Sequence, residues 1–172
     1  HYPLAATCLS NEQCRTLEVK LYTRTLPQCG ISSKLPLAMR YCPRRYMGLA
    51  IPEFHVHQGI QHTFELLTSY ETNNTMSQQL QLSIELIHLL IGTQNWLFDQ
   101  IDLDIIDMID DSWVKCTWHY LTQHNFTIKT KNISFQHPRA NDKFIMESIN
   151  ELPISRMDKA RLNLCRVYLQ LL

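Results

Sequence analysis

Glycine is scarce: four stand in the whole chain of 172 residues. That excludes a glycine-rich phosphate cradle, and neither a P-loop nor a G-x-S-x-G nucleophile turn is present. The six cysteines include no Cys-x-x-Cys pair, which excludes a zinc ribbon. There is no His-Glu-x-x-His. Net charge is absent too, with 16 basic residues against 16 acidic ones, so long-range steering by total charge is excluded. The longest apolar run, Ile84 to Ile91, is broken by Glu85 and His88 and falls short of the roughly 18 residues that span a membrane. The first residue given is histidine rather than methionine, and no signal-peptide pattern is expected in these residues. The chain starts at His1 and stops inside the apolar "CRVYLQLL", so we expect a piece of a longer protein; a processed secreted protein could also begin this way.

What is present is an ordinary globular composition, 45% apolar, enough for one domain with a core or two small ones. Ser10 followed by Gln13 reads as a capping box opening a helix to about Leu26, with Cys14, Leu17, Leu21 and Thr25 on one face and Pro27 and Gly30 as the stop. Ser32-Ser33 could open a short helix through Met39. Pro43, Gly48 and Pro52 punctuate a loop. Helical periodicity resumes from Val56 to Tyr70. A broadly apolar helix follows, capped by Thr75 or Ser77, carrying Leu80, Ile84, Ile87 and Ile91 and ended by Gly92. Asp111-Ser112 starts another helix, and Asn141 or Asp142 one more. The last begins near Pro153 and keeps Met157, Ala160, Leu164, Tyr168 and Leu171 on one face. Only "FTIKTKNISF" alternates like a strand. The expected fold is mainly α, with six or seven helices and at most one short β-hairpin, divided into residues 1–52 and 53–172 or forming one continuous domain.

The candidate chemistry is thin. His55, His57 and His62 suggest metal ligands, but the first two fall in expected loop and no second carboxylate stands at helical spacing from Glu53. Six aspartates between Asp99 and Asp111 suggest a divalent cation, but the central glycine and terminal glutamate of an EF-hand are missing. The pattern fits an acidic-faced amphipathic segment. No metal site, cofactor or catalytic residue is expected. The six cysteines (Cys8, Cys14, Cys29, Cys42, Cys116, Cys165) would permit three disulfides, and sequons at Asn73, Asn125 and Asn132 fit secretion. Against this, Cys14, Cys116 and Cys165 fall at helical spacing among apolar residues, where cysteine acts as a small buried hydrophobe, so reduced thiols and an intracellular setting are expected. Two basic features remain. Residues 1–52 carry seven Lys/Arg against two Glu, with Lys34, Arg40, Arg44 and Arg45 around the loop. Arg156, Lys159, Asn163 and Arg166 recur along the last helix. Either would suit a phosphate backbone, which asks for positive charge on one face.

The blocks "TCLSNEQCRTLE", "LAMRYCPRRYMGLAIPEFHVHQGIQH", "LQLSIELIHLLIGT", "DDSWVKCTWHYLTQHNF", "NDKFIMESI" and "MDKARLNLCRVYLQ" resemble, in that order, the region that follows the polymerase palm in retrotransposon-type reverse transcriptases. The resemblance covers nearly the whole chain. The family pattern runs from a proline, through two residues and an aromatic, into a G-G-L-G-leucine/isoleucine turn and a later Gln-Gly. Pro43, Tyr46, Gly48, Leu49, Ile51, Gln58 and Gly59 match it, while Met47 and Ala50 stand where the family has glycine. Both residues tolerate positive φ poorly, so a stiffened or degenerate turn is expected.

The resemblance implies a thumb and connection region that grips a template–primer duplex, RNA–DNA or DNA, behind an active site carried elsewhere in a parent polyprotein. The palm's aspartate pair is not here: Asp110-Asp111 comes too late in the order of blocks and follows Ile109. No polymerase activity is expected of this chain alone, and Mg²⁺ is expected only in the absent palm. The nucleic-acid contacts would be Arg40, Arg44, Arg45, Arg156, Lys159 and Arg166. Gly48, Pro52 and Gly59 would shape the turn, with Leu49 and Ile51 turned into the core. The rival expectation is a secreted, disulfide-bonded helical-bundle signalling protein. A third is a helical protein–protein module that docks through "VYLQLL".

Overall fold

A computed structural model describes residues 2–93, 95–99, 106, 109–129 and 143–171, less the side chains of residues 2 and 3. The fold is mainly α, as expected. Seven helices of five residues or more, a single turn at the start and no strand occur among the described residues. The proposed hairpin, residues 126–135, lies outside the described residues from 130 onward. Its described beginning, Phe126 to Lys129, is not strand. The chain forms two compact units, His1–Glu65 and Leu66–Leu172. The division therefore falls inside a helix, later than the boundary at residue 52 that the sequence suggested.

The first unit holds α1 (Tyr2–Ala5), α2 (Asn11–Gln28), α3 (Leu37–Tyr41), a 3₁₀ turn (Arg44–Tyr46) and most of α4 (Phe54–Ser69). The expected capping box is present: Gln13 N donates to Ser10 Oγ at 3.2 Å and Ser10 N donates to Gln13 Oε1 at 2.9 Å. The buried face of α2 differs from the expected one. Cys14, Glu18, Tyr22 and Leu26 are buried, whereas Leu17 and Leu21 are exposed. The stripe is rotated because one of its members is a carboxylate that binds backbone and phenol, as shown below. The Ser32–Met39 helix begins later, at Leu37 behind Pro36. From α4, buried Gln58 clamps the segment ahead of α2. Its Oε1 accepts from Leu9 N at 3.3 Å and its Nε2 donates to Leu9 O at 3.1 Å.

The second unit is built on α5 (Thr75–Ile91), α6 (Trp113–Gln123), α7 (Ile145–Asn150) and α8 (Arg156–Tyr168), with a 3₁₀ turn at Leu97–Asp99. Its core gathers Leu66, Ile84, Ile87, Ile91, Trp96, Leu97, Phe98, Ile106, Val114, Trp118, Tyr120 and Leu121, with Leu80 at the margin. The apolar face foreseen for α5 is thus the centre of this core. Asn74, rather than Thr75 or Ser77, caps α5, accepting from Ser77 N at 2.8 Å. Ser112 caps α6 as expected, and α7 begins at Ile145 behind Phe144. His88 is buried in this unit. Its ring stacks on Trp96 with centroids 5.6 Å apart, and its Nε2 accepts from Leu97 N at 3.2 Å. Burial pulls the imidazole down to about 4, outweighing a hydrogen bond to the Thr93 backbone.

Candidate nucleic-acid interface

The loop between α3 and α4 is a closely bonded turn. Tyr46 N and Gly48 N donate to Pro43 O, and Met47 N donates to Arg44 O. The chain then folds back along α3. Leu49 N donates to Met39 O, Ala50 N to Cys42 O and Ile51 N to Arg40 O, each at 2.9 Å. These bonds satisfy carbonyls that the end of a helix leaves without partners.

Three positions in this turn make demands that only glycine meets without cost. Met47 has φ of 62° and Ala50 a φ of 52°, both in the left-handed region. At Gly48 there is no room for a side chain: a Cβ would lie 2.0 Å from Cys42 O. Positions 47, 48 and 50 are those at which the resembled pattern carries glycine. Leu49 and Ile51 are half-buried, and Pro52 is exposed. Gly59 is buried within α4, one turn after Phe54 to His57.

Glu18 anchors the far end of the turn. Its carboxylate accepts from Tyr41 O–H at 2.6 Å and from Phe54 N, a free donor at the first turn of α4. A negative charge there also suits the positive end of the helix. Burial, and then the hydrogen bond to Glu18, push the Tyr41 phenol up. Burial and the Glu18 charge push Tyr22 up to about 12. By sequence alone Glu18 counts only as a charge. A lone Glu four residues after Cys14 and before Tyr22 at the same helical spacing was the available signal.

The six expected contact residues separate into different roles. Arg44 and Arg45 are exposed, and no carboxylate pairs with either among the described residues. The Arg45 guanidinium lies 4.8 Å from the centre of the Tyr46 ring. Arg40 is half-buried and committed to backbone: its Nε donates to Leu35 O at 2.9 Å and its Nη2 to Ser33 O at 2.8 Å. It braces the loop that precedes α3. Arg156 is exposed, while Lys159 is half-buried and donates to Asn150 O at 3.0 Å.

Arg166 must be withdrawn from the set. It is 4% exposed, and its guanidinium donates to Leu89 O at 2.6 Å, Leu90 O at 2.8 Å, Leu171 O at 3.0 Å and Asn163 Oδ1 at 3.0 Å. Asn163 in turn donates to Leu90 O at 2.9 Å. These two residues close the carbonyl end of α5, where positive charge meets the negative end of the helix dipole. Gly92 makes room: its φ is 71°, and a Cβ there would sit 2.7 Å from Arg166 Cζ. The buried face of α8 is thereby shifted from the expected one, keeping only Ala160 of it. Ala160, Asn163 and Arg166 face inward, and Met157, Leu164 and Tyr168 face solvent.

The histidines do not gather. His55 and His57 are half-buried in α4 rather than in a loop, and His62 is buried, its imidazole pulled down by burial. Among the described residues no three His, Cys, Asp or Glu side chains are grouped to hold a metal ion. Of the acidic stretch, Asp99, Asp110 and Asp111 are described, and Asp111 pairs with Lys115 at 3.0 Å. The remaining aspartates, Asp102, Asp104 and Asp107, lie outside the described residues. No disulfide joins the six cysteines; Cys14 is buried, Cys42 and Cys116 are half-buried, and Cys8, Cys29 and Cys165 are exposed. No described helix is long and apolar enough to cross a membrane. Comparison with family models, with curated proteins and with solved structures gave no match.

Proposed function

We propose that this chain is a non-catalytic, helical thumb-like segment of a retroelement-type RNA-directed DNA polymerase, and that it grips the template–primer duplex through its phosphate backbone. The observation that carries this reading is the Pro43–Ile51 turn. Each glycine of the resembled G-G-L-G turn falls where this backbone needs glycine, twice for positive φ and once for want of space. That agreement rests on geometry, so it supports the resemblance independently of residue identity. The same turn holds Arg44 and Arg45 in solvent on a short, bonded scaffold. Two guanidiniums free of carboxylates suit phosphate oxygens, which they bind in bidentate fashion. Arg156 adds charge on the second unit, and Lys159 adds a cation tethered to Asn150. Arg40 and Arg166 act instead as braces. The partners are then RNA–DNA or DNA duplex and the remainder of the parent polyprotein, in an intracellular setting. Cys14, fully buried with its thiol pushed up by burial and joined to no other cysteine, favours this over a disulfide-bonded secreted protein.

The test is binding of the purified chain to a labelled RNA–DNA hybrid across a salt series, with several unrelated sequences. Backbone contact gives affinities that fall steeply with salt and barely change with sequence. Flat, negligible binding by folded protein at low salt would remove the reading.

A further inference from the structure

The tip of the turn holds more than charge. Arg44, Arg45, Tyr46 and Met47 are four consecutive exposed residues, with Tyr46 61% and Met47 87% in solvent. Their neighbours Leu49 and Ile51 turn inward, so the two large apolar side chains are held out rather than left over. Met47 also sits at φ of 62°. A methionine that meets backbone strain and gains no burial inside the chain has no role in packing, and strain of this kind gathers at contact sites. The Arg45 guanidinium lies over the Tyr46 ring at 4.8 Å from its centre, and Tyr46 remains well exposed. The 3₁₀ bonds of Pro43 and Arg44 and the seat of Gly48 on Cys42 fix the tip in advance, which lowers the ordering cost of binding.

We infer that this tip is a base-stacking wedge: Tyr46 and Met47 take the face of an unpaired base, while Arg44 and Arg45 hold the phosphates on either side of it. The inference rests on the phosphate-gripping role proposed above and adds a preferred ligand, nucleic acid with a single-stranded end next to duplex. The chemistry is that of aromatic platforms and apolar wedges. Bases stack on tyrosine whatever their sequence, an arginine behind the ring strengthens the stack, and methionine flanked by arginine enters between bases.

The experiment compares the full chain on two labelled RNA–DNA hybrids with equal numbers of phosphates, one blunt and one with a short overhang. The overhang carries 2-aminopurine at its first unpaired position. The wild type should bind the overhang roughly tenfold more tightly and quench the 2-aminopurine, as stacking of one base requires. Tyr46→Ala should lose both the preference and the quenching, with blunt-hybrid affinity and salt slope unchanged. Tyr46→Phe should keep both. Equal binding of the two hybrids by the wild type, with a steep salt slope, overturns the wedge and leaves the phosphate grip standing. Loss of the preference in Tyr46→Phe as well as Tyr46→Ala also overturns it. Failure to bind either hybrid overturns both readings.

Discussion

Replacing Met47 and Ala50 by glycine should stabilise the protein. A non-glycine residue in the left-handed region costs roughly 1–2 kcal/mol. Glycine returns roughly 0.5–1 kcal/mol of that through the greater freedom of the unfolded chain. Met47 is 87% exposed and Ala50 is exposed, so truncation forfeits almost no burial. The net gain is about 0.5–1 kcal/mol at each site and about 1–2 kcal/mol for the pair. Gly48→Ala is the opposing control. Its Cβ would lie 2.0 Å from a backbone oxygen, so the turn must open, at a cost of at least about 2 kcal/mol. Urea unfolding followed by far-UV circular dichroism measures the three changes. Hydrogen exchange at the Leu49, Ala50 and Ile51 amides, bonded to α3 and to Cys42 just after it, locates them. The reasoning is refuted if both glycine variants are neutral or destabilised while Gly48→Ala is tolerated. If the wedge is right, Met47→Gly also weakens the preference for an overhang, so stability and binding move in opposite directions.

Three further outcomes are expected. Arg166→Met should destabilise the second unit by about 3 kcal/mol, since the α5 carbonyls lose their donors, and Arg166→Lys should not restore it because one ammonium cannot replace the planar fork. Trp96, Trp113 and Trp118 all lie in that unit, so tryptophan emission during urea unfolding reads the change. For His88, the folded imidazole titrates at about 4 and the unfolded one near 6.5, so the unfolded chain takes up the proton first as pH falls. Its contribution is complete above pH 6.5 and is lost progressively down to about pH 4, up to about 3 kcal/mol, and His88→Gln should flatten that part of the stability–pH curve. Glu18→Ala should cost about 2 kcal/mol by stranding the Tyr41 hydroxyl and the Phe54 amide, seen as faster exchange at Phe54 and a lower urea midpoint.

Local signals were legible where one residue makes its own case. The Ser10–Gln13 box, the Ser112 cap and the glycine end of α5 each depend on a backbone need that a particular side chain meets. The α5 core face was legible because Ile84, Ile87 and Ile91 repeat at helical spacing without competition. The faces of α2 and α8 were misread for a common reason. Glu18 and Arg166 are buried charges that satisfy backbone groups of other helices, and periodicity rules assign charged residues to solvent. Partners distant in sequence, such as Leu89 and Leu90 for Arg166, leave no local trace. The turn was legible in outline from Pro43, Gly48 and Pro52. Its positive φ at Met47 and Ala50 was signalled only by the resemblance, which has glycine at both positions, because neither residue itself advertises that conformation.

The central claim is that Arg44 and Arg45 meet phosphates. The most direct test compares the salt dependence of RNA–DNA hybrid binding for the wild type and the Arg44→Ala/Arg45→Ala double variant, with folding checked by circular dichroism. Each lost phosphate contact should lower the slope of log affinity against log salt by roughly one, so the pair should lower it by roughly two on any sequence. A double variant that is folded and binds with the wild-type slope would contradict the account.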